Sequence, residues 1–174
     1  MKKWLLILLG CGLAFGVHAG VITNAPARIE LPDQFEKPQK LFFPNTNLTV
    51  LTIADHKGSK QIAGWVEPVA KQFGSRVAVR GIADVSAVPR LLRGTVRAAF
   101  RKEQSYPVMM DWSGAVVRQF LPAADQANIL VIDGQGKILR RFVGAAKPAE
   151  VQELCKLLDD LLSAAKEPKL AARP

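Results

Sequence analysis

The sequence predicts an α/β domain: a mixed central β-sheet flanked by helices, with a C-terminal β-hairpin and helix. Three observations carry this. From Leu48 onward, apolar β-branched runs alternate with stretches whose apolar residues recur at helical spacing. Near the end, "ANILVID" and "KILRRFVG" flank Gly134-Gln135-Gly136, two β runs around a glycine-rich turn. The 174 residues are 49% hydrophobic and 22% charged, a balance that suits one globular domain and argues against a disordered chain.

The first 19 residues read as something other than fold. "MKK" is a short basic start, "WLLILLGCGLAFGV" an apolar run, and "VHA" before Gly20 supplies small residues at a cleavage point. We expect a signal peptide at 1–19, cut after Ala19, and a periplasmic or secreted product. "LLGC" also resembles a lipoprotein cleavage box, so lipidation at Cys11 stands as the alternative. Cleavage after Ala19 leaves one cysteine, Cys155, so the mature domain is not built on internal disulfides. The net charge of +9 allows an anionic lipid or glycan surface as partner.

Residues 20–46, rich in Pro and Asn, read as an extended lead-in with one or two short edge strands. Residues 47–163 form the domain proper. "LTVLTIA" (Leu48–Ala54) is apolar throughout, as a buried parallel strand is. A helix is expected from Lys60 to Phe73, capped by Ser59, with Ile62, Val66, Val69, Ala70 and Phe73 on its apolar face and Gly74 ending it. "RVAVRGIA" (Arg76–Ala83) is the second strand. A second helix follows, with Pro89 in its first turn. "PVMMD" (Pro107–Asp111) is a short third strand and "GAVVRQF" a brief helix. The hairpin comes next, and a last helix runs from about Pro148 to Ser163. Residues 164–174 lack a periodic apolar face and read as a disordered tail.

This order, with "YPVMMDWSGAVVRQF" and "ANILVIDGQGKILRRFVG", resembles the thioredoxin-like superfamily in its redoxin, or alkyl-hydroperoxide-reductase-like, branch. Pro107, Val108, Asp111, Gly114 and Val116 match one segment common in that branch. Ile132, Asp133, Gly136, Ile138 and Gly144 match its hairpin. The resemblance implies a redox thiolate at the end of the first core strand, where a helix N-terminus stabilises it. It also implies a cis-proline before the hairpin. The first place holds Asp55, His56, Lys57, Gly58 and Ser59, and the second holds Ala127. Without proline, a cis bond there would cost about 2.5–4 kcal/mol. Both halves of a thiol site are missing.

Three groups of residues are candidates for function. At the corner, Asp55, His56, Lys57 and Ser59 put a carboxylate, an imidazole and an ammonium beside a helix start, able to bind an anion or to form an ordinary polar turn. Ala127 and Asn128 are expected to face that corner, with Asn128 offering amide hydrogen bonds to a ligand. Cys155 shares an apolar helix face with Val151, Leu154, Leu158, Leu161 and Leu162, which favours a core thiol over a resolving one. Arg90, Arg93, Arg97 and Arg101 fall at intervals of three and four, a basic stripe along the second helix. The stripe is a candidate for lipid or glycan phosphates, whereas the lack of interleaved aromatics argues against nucleic acid. His56 is the only histidine after residue 19, so no metal cluster is expected, and no cofactor motif occurs.

We therefore expect an exported thioredoxin-like domain without a thiol redox site, a binding or assembly factor with a protein partner in the cell envelope. The alternative is a divergent redoxin-type oxidoreductase or peroxidase using Cys155 or a partner's thiol.

Overall fold

The computed structural model describes residues 22–165. The expected signal peptide, Cys11 and nearly all of the expected tail lie outside them. A first hairpin, β1 (Arg28–Pro32) and β2 (Pro38–Phe42), pairs only with itself as a sheet. The main sheet has β3 (Leu48–Ala54), β4 (Val77–Asp84), β5 (Met109–Asp111), β6 (Asn128–Ile132) and β7 (Ile138–Val143), in the order β5-β4-β3-β6-β7. Strands β3, β4 and β5 are parallel, and β6 is antiparallel to both β3 and β7. The helices are α1 (His56–Ser59), α2 (Ala63–Phe73), α3 (Arg93–Glu103) and α4 (Pro148–Ala164).

Period-two alternation divides the core. On β3 and β6, Leu51, Ile53, Leu130 and Ile132 point to one face, with Ile29, Leu41, Phe43, Val117 and Phe120. Val50, Ile129 and Val131 point to the other, against Trp65, Val69, Phe73, Leu154 and Leu158 of α2 and α4. Each fully buried aliphatic side chain contributes about 1.5–3 kcal/mol. On β4 and β5, Ala83 and Met110 alternate with Ile82 and Met109, and α3 packs on the former pair through Val96 and Phe100. Helices α2, α3 and α4 therefore lie on one face. The lead-in hairpin and a 3-10 turn at Val117–Phe120 cover the other. Residues 28–42 thus roof a face of the sheet, and at Asp33 they also touch its edge through an antiparallel bridge to Met109 of β5. Their attachment is polar as well as apolar: the Gln34 side chain donates to the carbonyls of Gln104 and Tyr106 and accepts from the Val108 amide.

The first helical segment differs from the expected single helix at 60–73. It breaks into α1 and α2, with Ile62 at the start of α2. Ala70, expected on the apolar face of α2, is exposed, and Trp65 joins Val69 and Phe73 in the core. The indole is fully buried, 5.2 Å from the Phe142 ring, and its Nε1 donates to the Gly144 carbonyl at 2.9 Å.

One buried carboxylate positions the loop beyond β5. Asp111 is fully buried and accepts from the Ser113 amide and hydroxyl and from the Val116 and Val117 amides. Burial alone would push its pKa up. The four donors more than offset that and hold it below the ordinary value.

Candidate functional site

The corner after β3 is organised by Asp55. Its Oδ1 accepts the Lys57 and Gly58 amides at 3.0 and 2.8 Å, capping α1. Its Oδ2 accepts the Asp125 amide at 2.6 Å, tying the corner to the loop before β6. Partial burial acts to raise its pKa. The Gly58, Asp125 and Lys57 amides and the Lys57 charge outweigh that, so the carboxyl sits below its ordinary range. Ser59, expected as a cap, instead donates its hydroxyl to the His56 carbonyl. Lys57 pairs with Asp125 at 2.8 Å, not with Asp55 as an isolated polar turn would have it. The Asp125 hydrogen bond and charge raise the lysine's pKa. His56, Lys57 and Ser59 are exposed.

Gly58 is buried, and a Cβ on it would overlap the Gln126 carbonyl. The corner and the Ala127 segment thus meet, backbone against backbone. The Gln126–Ala127 bond is trans; among the described residues the cis bond is Phe43–Pro44. Ala127 is fully buried, and its amide donates to the Gln61 side chain at 3.1 Å.

Asn128 does not offer its amide to a ligand. It is buried, its Oδ1 accepts the Ala123 amide, and its Nδ2 donates to the carbonyls of Ala123 and Gln126. Both donors are consumed, and the residue clamps the 123–126 loop.

Beside this junction opens a cleft of about 360 Å³. Its walls are mainly apolar, from Ile53, Ala54, Val117, Leu121, Pro122 and Ala123. Asp55, Asp84, Arg118 and Asn128 supply its polar groups. It lies past the carboxyl ends of β3 and β4, where such sheets place ligands. Of the expected site residues it gathers Asp55 and Asn128 and leaves out His56, Lys57, Ser59 and Ala127. Asp84, Arg118 and the 121–124 loop escaped the sequence reading. They are distant in sequence and carry no motif. The one local signal was "FLPAAD", a proline-containing break directly after an apolar turn.

Leu121 forms the lip of this cleft. Its φ of 45° and ψ of 58° are left-handed, a costly state for a branched side chain, and it is 61% exposed. Arg141 on β7 holds it there, donating to the Phe120 carbonyl at 2.6 Å and the Leu121 carbonyl at 3.3 Å.

The basic stripe turns inward. Arg93 and Arg97 stack on Trp112, with guanidinium carbons 5.1 and 5.2 Å from the ring centre. Arg97 also pairs with Glu36, and Arg101 donates to the Gln34 carbonyl. A row of four solvent-facing guanidinium groups is thus corrected to two packed ones, one tethered one and Arg90 outside. Helical spacing places side chains on a common side without saying whether that side faces water. Cys155 is half-buried among the apolar residues of α4, and burial pushes its thiol up. No cluster of three or more metal-ligating side chains occurs among the described residues, and none of their helices is long and apolar enough to cross a membrane.

The parallel core, the antiparallel hairpin and the corner at the N-terminus of a helix define a thioredoxin-like fold. The chain is similar in structure to the exposed lipoprotein thioredoxin Etrx1 of Streptococcus pneumoniae strain TIGR4, at 18% identity and a TM-score of 0.61, over 77% of this chain and 99% of that one. It is similar to the peroxidoxin BcpB of Mycobacterium tuberculosis, at 22% identity and a TM-score of 0.55, over 82% and 97% of the two chains. StoA of Bacillus subtilis matches at 12% identity and a TM-score of 0.57, over 75% and 97%. No protein-family model matches the chain. No curated protein matches it either.

Proposed function

We propose that this chain is an exported, non-catalytic thioredoxin-like domain that binds a partner in the cell envelope through the cleft beside Asp55. Gly58 carries the proposal. It lies in the cysteine-free Asp55–Ser59 corner, packed so closely on the Gln126–Ala127 backbone that no side chain fits at this position. Cys155, the one cysteine among the described residues, lies on α4 with a raised pKa, opposite to what a thiolate nucleophile needs. The cleft, by contrast, is open, apolar and edged with charge. Export is supported by the signal-peptide-like sequence at 1–19 and by a structural neighbour described as an exposed lipoprotein thioredoxin.

Two measurements test this. The purified protein is expected to leave insulin disulfides and hydroperoxides untouched, and turnover abolished by Cys155→Ser would reject the non-catalytic role. In cells, site-specific cross-linking from Leu121 is expected to trap an envelope protein. A chain retained in the cytoplasm, or one giving no adduct from the lip, would reject the envelope-binding role.

A further inference from the structure

We infer that the cleft receives an apolar amino-acid residue bearing a free carboxylate and an N–H donor on its α-nitrogen. This rests on the cleft being the working surface and names what fills it. Asp84 and Arg118 line the same cavity with opposite charges, yet they form no ion pair with each other. Both stay at one rim. The Oδ1 of Asp84 accepts the Ser86 amide and hydroxyl at 3.0 and 2.6 Å. Nη1 of Arg118 donates to the Ser113 carbonyl at 3.1 Å. A Cβ on Gly114 would meet both the Arg118 guanidinium and the side chain of Ser86, the residue that donates to Asp84, so this glycine lies between the guanidinium and the partner of the carboxylate.

Among the described residues, each keeps unengaged atoms: Oδ2 of Asp84, and Nη2 and Nε of Arg118. An acceptor that is free and a donor fork that is free, held at one rim of an apolar cavity, suit a group with its own donor and its own carboxylate. The guanidinium takes the carboxylate, Asp84 takes the N–H, and the side chain lies on Ile53, Val117 and Pro122. A cavity of about 360 Å³ has space for one residue of leucine size. Of the other charged groups at hand, Asp55 has its carboxylate filled by three backbone amides, and Lys57 and Asp125 are paired with each other. None of the three has a free partner to offer the ligand.

A free amino acid and the C-terminal residue of a polypeptide share this chemistry. Titration calorimetry of the protein at pH 7 with L-leucine, N-acetyl-L-leucine and L-leucinamide, each to about 10 mM, separates them. Binding of leucine and N-acetyl-leucine, with leucinamide at least about tenfold weaker, is the result for a chain terminus. Binding of leucine alone indicates the free amino acid. Arg118→Gln is expected to lower either affinity about tenfold and to remove the preference over leucinamide. Asp84→Asn should weaken leucine more than N-acetyl-leucine, because only leucine carries an ammonium there. Absence of binding by all three, or equal binding of leucinamide, overturns the inference. So does a preference unchanged in Arg118→Gln. If the Leu121 cross-link persists under any of these results, only the ligand class falls and the partner-binding role stands.

Discussion

Arg141 donates from Nη2 to the carbonyl of Phe120 at 2.6 Å, reaching from β7 across to the turn that ends in the lip of the cleft. Its other guanidinium nitrogen reaches the Leu121 carbonyl. A left-handed leucine persists only where its surroundings over-determine it, and this fork supplies that constraint. Arg141→Gln is expected to cost about 1.5–3 kcal/mol of stability in urea denaturation. Amide hydrogen exchange at 121–124 should accelerate more than in the core strands. Unchanged exchange in the lip would show that Arg141 does not hold it.

Gly58 and Gly94 make an opposed pair. Alanine at Gly58 drives a methyl into the Gln126 carbonyl, backbone that cannot swing aside. Gly58→Ala is expected to lose about 2–3 kcal/mol, at the upper end of overpacking costs. Gly94 is exposed on α3, with nothing within 4 Å of an added Cβ. Gly94→Ala is expected to gain about 0.5–1 kcal/mol. The two denaturation midpoints should move in opposite directions. Gly58→Cys should unfold like Gly58→Ala without gaining insulin reduction, since no thiol fits there.

Acid stability should depend on Asp111. Its folded pKa lies below the ordinary 3.8, so its contribution is present above the unfolded pKa. That contribution is lost as pH falls through the folded value. Asp55 is shifted in the same direction and acts in the same window, more weakly because it is part-exposed. Asp111→Asn should destabilise by about 2–3 kcal/mol at pH 7, with amides left short of acceptors. It should also flatten the stability slope below pH 4 relative to wild type. Parallel slopes in the two proteins would show that this carboxyl is not what titrates.

Cys155 should behave as a packed thiol. With its pKa raised by burial, little thiolate forms at pH 8. Labelling by a disulfide reagent is expected to be at least about tenfold slower in the native protein than in urea. A native rate equal to the denatured one would place the sulfur at the surface and reopen its chemistry.

The strands, the hairpin and the thiol-free corner were legible in the residues alone. Those features are local: continuous apolar runs mark Leu48–Ala54 and "ANILVID", and the missing cysteine is read directly. Cys155 was likewise placed with its apolar neighbours, because one helical period relates them. Which groups face water, and which meet, depended on packing between segments. Helical spacing aligned Arg93 and Arg97, but Trp112, brought over by β5, turned them inward. Asn128 became a loop clamp and Gly58 a contact point because the Gln126 backbone closed on both. Asp84 and Arg118 share one cleft although no sequence pattern links them, since β4 and the 3-10 turn end at the same side of the sheet. Periodicity records how a segment relates to its own axis. Burial and encounter depend on the other segments that pack against it, and a single period carries no information about those.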